Sequence, residues 1–223
     1  MTAKLNLSGA KGLSRTTQAN VVEYLRRAIL SGELPPGTRL VQAELADILQ
    51  VSVTPIREAL WELNSQGLVD LDAFRGAVVH TPTLAELEEL FEVRMALLPV
   101  SVRRGVQHHT PQQLDQAEVI LAQMETEADQ TRWIQLNREF HTQLYGTQPN
   151  QHLQQVMERL SDIATIYINL SFAQNQAQRA SSEQEHRQLL AAYREQDVDQ
   201  AIALALAHLH STLEAARSVL KTV

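Results

Sequence analysis

Glycine is the residue that turns a chain at positive φ and the ordinary residue least suited to a helix interior. Six of the eight glycines in this 223-residue chain, Gly9, Gly12, Gly32, Gly37, Gly67 and Gly76, precede residue 81, and only Gly105 and Gly146 follow. The first part is therefore free to turn often, and the second must be built from long helices with few breaks. Ten aromatic residues, against abundant leucine and alanine, make the core aliphatic and lean it toward helix. At about 150 residues per domain the length allows two modest domains. The boundaries read as a short flexible arm over 1–14, a first domain over 15–81 and a second over 82–223.

The chain has no cysteine, which removes disulfides, thiolate metal sites and thiol nucleophiles together and suits a reducing cytoplasm. No apolar run approaches the ~18 residues of a membrane span. The arm carries Lys4 and Lys11 but no apolar segment after them, so it does not read as a signal peptide. Residues 1–80 hold eight basic and eight acidic side chains; the rest hold eleven and eighteen, which accounts for the whole net charge of −7. Any binding to nucleic acid must then rest on the first domain and on where its charges sit, since their sum gives no attraction.

In that domain, Val21, Leu25, Ala28 and Ile29 mark a helix over 18–31, closed by Gly32 and by Pro35-Pro36-Gly37. An extended piece over 38–41 precedes a second helix around 42–49. Ser52 is placed to cap a third, with Pro55 in its first turn and Ile56, Leu60 and Leu63 on its apolar stripe. After Gly67, residues 68–71 and 77–80 alternate as two strands joined at Arg75-Gly76. Helix, helix–turn–helix and hairpin in this order describe a winged helix-turn-helix. Its third helix would offer Thr54 and Arg57 to a major groove, with Arg57 able to hold guanine or phosphate through two bonds. Arg75 would sit at the wing, and Arg26, Arg27 and Arg39 are placed for phosphates. A small helical domain with solvated arginines fits the same pattern.

The wording of this segment narrows the choice. Ser31-Gly32-Glu33-Leu34-Pro35-Pro36-Gly37-Thr38-Arg39-Leu40, Glu44-Leu45-Ala46, Val51-Ser52-Val53-Thr54-Pro55-Ile56-Arg57-Glu58-Ala59-Leu60 and Gly67-Leu68-Val69 stand in order. Over about residues 16–81 the chain resembles the DNA-binding domain of GntR-family bacterial transcription regulators. The resemblance implies that Thr54, Arg57 and the wing at Arg75-Gly76 contact operator DNA. Many relatives carry arginine where this chain has Ala43 and Val53. Val53 offers a thymine methyl a contact but guanine no donor, so a different operator, or weaker binding per half-site, is expected.

The second domain reads as all helix. Thr83 and Glu86 form a capping box, and Leu87, Leu90, Phe91, Leu97 and Leu98 mark the buried stripe of a helix that Pro99 is expected to kink. Arg94 lies on that stripe, so its charge must reach solvent or meet an anion. Further helices are expected near 111–127, 130–146, 150–173, 180–196 and 198–219. His141 stands four after Asn137 beside an apolar face, and His186 lies on the apolar side of its helix. At 100° per residue His208 falls beside Ala201, Ala205 and Thr212, while His210 falls on the polar face. Three inward histidines can be satisfied core residues, or can hold a divalent ion that imidazole suits, such as Zn²⁺ or Ni²⁺.

Residues 84–218 resemble the helical FCD ligand-binding domain of the FadR-type branch of that family, through Glu89-Leu90-Phe91-Glu92-Val93-Arg94, Asn137-Arg138-Glu139-Phe140-His141, Glu185-His186-Arg187 and Ala207-His208-Leu209. The fold implied is mainly α, a winged helix-turn-helix followed by an antiparallel FCD-like helical bundle. The resemblance implies a divalent metal (Zn, Ni or Mn) on His141, His186 and His208, with Asn137 in the usual aspartate place, and a small organic-acid effector near Arg94. An acidic residue often found four after that arginine is Leu98 here. The function implied is a cytoplasmic regulator, acting as a repressor, that binds a palindromic operator as a homodimer. Two other readings remain: a metal-free regulator of a larger ligand such as an acyl-CoA, and a metal-dependent hydrolase, for which Glu139 and Glu185 are the adjacent carboxylates.

Overall fold

The computed structural model describes residues 18–72, 76–145, 150–172 and 176–220, with side chains described outside 170–178. The arm over 1–14, Arg75 and Gly146 lie outside the described residues. The described residues fall into two compact units that divide between Thr81 and Pro82.

The first unit contains α1 (Gln18–Leu30), β1 (Arg39–Leu40), α2 (Gln42–Leu49), α3 (Val53–Ser65), β2 (Val69–Asp72) and β3 (Gly76–Val79). Its core is the meeting of three apolar stripes: Val21, Leu25 and Ile29 from α1, Leu45 and Leu49 from α2, and Ile56, Leu60 and Leu63 from α3. Leu68 and Val79 seal it from the sheet side. The strands order β1-β3-β2, all antiparallel, with Val69 opposite Val79 and Arg39 opposite Val78. Gly67 carries the chain from α3 into β2 at φ +78, a conformation that strains any residue with a Cβ. Asn64 Nδ2 then donates to Val69 O at 2.8 Å and fixes where β2 begins. Ser52 occupies the N-cap position of α3 with extended backbone, but its hydroxyl makes no capping bond, contrary to the expectation from sequence.

The second unit is α4 (Leu84–His108), α5 (Pro111–Thr126), α6 (Gln130–Tyr145), α7 (Gln151–Phe172), α8 (Gln176–Arg194) and α9 (Val198–Leu220). Thr83 and Glu86 make the expected capping box at α4, and Thr110 with Gln113 makes another at α5. α4 continues through Pro99 as one helix. The core joins Phe91 and Val102 of α4, Leu121 and Met124 of α5, Trp133 and Phe140 of α6, Tyr167 of α7, Tyr193 of α8 and Leu209 of α9. α9 turns Ala201, Ala205 and Ala216 inward. These small side chains let α4 and α9 pack along much of their length. None of the helices is long and apolar enough to cross a membrane, among the described residues.

Two contacts set α6 against α4. Gly105 lies so close to α6 and α8 that a Cβ there would stand 2.7 Å from Leu144 O and 2.9 Å from the Tyr193 hydroxyl. Ser101 Oγ donates to Tyr145 O at 3.2 Å one turn earlier. Because the first clash is with backbone, Gly105→Ala must push two helices apart. Overpacking of this kind costs about 1–3 kcal/mol, which for a domain this size lowers Tm by roughly 3–10 °C. Calorimetry of the variant checks this; an unchanged Tm would mean that the helix pair yields freely.

Candidate functional site

Three helices bring His141 (α6), His186 (α8) and His208 (α9) together. Their candidate ligand atoms all lie within 4.8 Å of one another. The Nε2 atoms of His141 and His186 meet at 3.2 Å, and the ring centroids of the trio are 4.7–5.0 Å apart. Each helix supplies its histidine from the margin of a core face: His141 follows Phe140, His186 is three before Leu189, and His208 precedes Leu209. Phe140 also packs on the His186 ring at 4.8 Å, and Tyr145 stacks on His141 at 5.4 Å. His210, two beyond His208, is exposed.

Burial sets the electrostatics. His186 is fully buried, and His141 is half-buried with its Nδ1 out of reach of solvent. Both imidazoles are held well below their ordinary pKa, first by burial and then by neighbouring His208, with Arg94 adding to His141 and His141 to His186. They are neutral at neutral pH, the form that ligates a metal. His208 Nδ1 donates to Glu185 Oε2 at 2.6 Å, which leaves its Nε2 for the cluster. A carboxylate behind a histidine in this way orients the ring and raises its basicity. Glu185 therefore holds His208, where sequence reasoning considered it only as a hydrolytic base. The sequence shows only that Glu185, one residue from His186, is turned about 100° away from that ring; that α9 stands there is seen in the fold.

Beside the histidines lies a small cavity in two adjoining lobes that open to solvent. Arg94, Asn137, His141, Tyr145, Met157 and Ile168 line both lobes, and His208 and Thr212 line one. Arg94 does not extend into solvent. Its guanidinium sits over the Phe91 ring at 5.0 Å, and its Nε and Nη1 are buried without a hydrogen-bond partner. Burial lowers its pKa to about 10, partly offset by Tyr145, so it stays charged at neutral pH. Asn137, one turn before His141, is also buried, and its Oδ1 has no partner. At the rim Arg138 and Asp162 pair at 2.6 Å.

The residues present fit a divalent ion. A tetrahedral centre with Zn–N of about 2.0–2.1 Å spaces its ligands about 3.3 Å apart, close to the 3.2 Å between the first two Nε2 atoms. The unpartnered Oδ1 of Asn137 is a further donor on the same cavity wall, one that brings no charge.

In the first unit Thr54, Arg57 and Glu58 are exposed on α3, and Arg39 and Gly76 are exposed on the sheet. Arg75 lies outside the described residues. Arg26 is turned inward, donating to Gln66 Oε1 at 2.8 Å. Trp61 shares the exposed side of α3 at 64% accessibility, with Val53 at 45%. Sequence reasoning passed over Trp61, although a large aromatic one turn beyond Arg57 and outside the apolar stripe marks a contact surface.

Comparison with known proteins bears on both units. The family model described as "Bacterial regulatory proteins, gntR family" matches residues 17–79, and that of the FCD domain matches residues 89–211. The Nta operon transcriptional regulator of Aminobacter aminovorans is 31% identical over 179 residues, 78% of this chain and 82% of that protein. The gluconate operon transcriptional repressor of Bacillus licheniformis is 41% identical over 88 residues, 39% of this chain and 36% of that one. Among solved structures, Escherichia coli McbR superposes with a TM-score of 0.83, covering 92% of this chain and 99% of that one, at 24% identity.

The buried histidines make stability depend on pH. In the unfolded chain each protonates near ~6.5; in the fold each resists protonation. Their stabilising share is complete above ~6.5 and is lost as pH falls toward the depressed folded values, at up to about 1.4 kcal/mol per pH unit for each group. Chelator-treated protein should lose Tm between pH 7.5 and 5.5, and His186→Leu should shallow that slope. A wild-type Tm flat across the interval would show that the rings are hydrated.

Proposed function

As the chain belongs to the GntR family of bacterial regulatory proteins, with an FCD domain as its second half, we propose that it is a transcription repressor released from its operator by a small organic acid. The coarse activity, regulation of transcription, follows from the family. Its relatives are regulators, not enzymes, which sets the hydrolase reading aside. The observation that carries the finer reading is Arg94: a charged guanidinium with two buried, unpartnered nitrogens beside a cluster of three imidazoles. An unpaired buried cation costs several kcal/mol, and a ligand carboxylate removes that cost.

His141, His186 and His208, with Asn137 Oδ1, would hold a divalent ion (Zn, Ni or Mn), which supplies a Lewis-acid anchor for an anionic oxygen. Glu185 keeps His208 in the tautomer this requires. No carboxylate in this set contacts the ion, so the ion and Arg94 together would bring three formal positive charges against the one negative charge of Glu185 behind His208. Asn137 thus shifts the balance toward the anion: ion and effector each bind better when the other is present. Two copies reading a palindromic operator would place Thr54 and Arg57 of each α3 in successive major grooves, with Arg39, Arg75 and Gly76 toward the backbone. The gluconate operon relative is a repressor, which supports the sign of regulation proposed.

Three experiments test this. Elemental analysis of tag-free protein prepared without chelator should find about one divalent ion per chain, and H141A/H208A should lose it while keeping operator affinity. Asn137→Asp should tighten metal binding and weaken small carboxylates in isothermal titration. No metal after incubation with Zn, Ni and Mn would overturn the site and point to a larger, metal-free ligand. On the DNA side, Arg57→Ala should weaken operator binding by roughly 1–3 kcal/mol in a fluorescence-anisotropy titration; unchanged affinity removes Arg57 from the reading face.

A further inference from the structure

α3 carries its largest side chain on the outside. At about 100° per residue, Trp61 falls ~20° from Thr54 around the helix and ~40° from Arg57. Ile56, Ala59, Leu60 and Leu63 occupy the opposite side and are buried. Trp61 is 64% exposed, against 1% for Trp133, the other tryptophan of the chain. Among the described residues its indole has no hydrogen bond and no ring partner, so nothing in the first unit uses it. The neighbours show from which side a polyanion can approach this ring. Val53 and Arg57 lie on one flank of the row formed by Thr54 and Trp61, and Arg57 is exposed without an ion pair among the described residues. Glu58 and Glu62 lie on the other flank, where two carboxylates repel phosphate.

Distance along the helix decides what the ring reaches. Trp61 stands seven residues beyond Thr54, about 10.5 Å along the axis at ~1.5 Å per residue. A major groove is about 8.5 Å deep. If α3 lay flat in it, the long indole would strike the floor before the short Thr54 side chain could touch a base. The helix must therefore enter by its first turn. Thr54 and Arg57 then meet base edges, and Trp61 is left at the lip of the groove, beside the sugar–phosphate chain. We propose that Trp61 packs its ring on a deoxyribose at that lip and donates its Nε1–H to the adjoining phosphate. The contact is an uncharged stop that sets how deeply α3 inserts. It reads no base, but it fixes the register in which Thr54 and Arg57 read theirs.

This rests on the operator reading of α3 proposed above, and the test separates the two. The probe is a DNA duplex enriched by the full-length wild-type protein from a randomised pool. Trp61→Ala should bind it at least about tenfold more weakly in fluorescence anisotropy, and Trp61→Phe, which keeps a ring, within about threefold of wild type. Circular dichroism should be unchanged, because the residue is exposed. A neutral group releases no counter-ions, so the salt dependence of binding should have the same slope for Trp61→Ala as for wild type. Saturating duplex should shield the wild-type fluorescence from acrylamide and leave that of Trp61→Phe, which comes from buried Trp133, unaltered. If Trp61→Ala binds as tightly as wild type, if its salt slope is shallower, or if the indole is as open to acrylamide in the complex as in the free protein, the stop is overturned. Arg57→Ala on the same duplex then still reports on the operator reading. A wild-type protein that enriches no duplex overturns that reading and the stop with it.

Discussion

A guanidinium kept charged in a dry place is the constraint around which the second unit is organised. Arg94 springs from the inner half of α4, between Phe91 and Leu98, and its Nε and Nη1 are buried on the cavity wall without a protein partner. The surroundings accept it by offering no competing positive charge. His141 and His186 stay neutral, and burial raises the Tyr145 phenol further above its usual range. What the protein does not supply is a counter-ion. A buried cation without one is a poor stabiliser and a good receptor. The helical frame therefore has to be rigid enough to hold the cavity open when nothing fills it.

That rigidity comes from places remote from the cavity. Trp133 Nε1 donates to Glu183 at 2.9 Å, and Glu183 in turn takes Arg179, which stacks on the Trp133 ring and caps the carbonyls of Met124 and Glu127. One side-chain network thus joins the end of α5 to α6 and α8, two of the helices that carry histidines. The His109 ring lies between Gly105 O, 2.7 Å from its Nδ1, and Gln143 O, 2.8 Å from its Nε2, where the end of α4 meets the end of α6. The alanine row of α9 lets α4 approach and leaves the space into which His208 projects. Position of the rings is set by packing and by polar clips that face away from the ligand, so a ligand need not build its own site.

The fold was legible because its signals are local. Glycine and proline mark the ends of the first-unit helices, and a capping box and 3.6-residue periods mark α4. The helix order and the winged helix-turn-helix with an all-helical second half agree with both family matches. Where reading failed, the physics was not local. Ser52 has the right type and position for a cap, yet its hydroxyl makes no such bond. The fate of Arg94 turned on whether its stem could reach solvent, which only the packing of α7 and α9 on α4 decides. Period analysis put His208 on the inner side of α9 and could not tell what stood opposite. The clustering of three rings, and the Glu185 carboxylate behind one of them, needs the crossing of α6, α8 and α9 to be known.

α4 carries residues of three different surroundings side by side. Phe91 and Leu98 are core, Arg94 lines the cavity, and Val93 and Val100 are exposed. An anion that draws Arg94 toward the histidines would apply force to the whole helix. Packed helices answer such a force by rotating or sliding as units more readily than by bending. A small rotation of α4 about its own axis would move the residues on its exposed side together with those that line the cavity, so the effect of an anion bound inside the domain need not stay inside it.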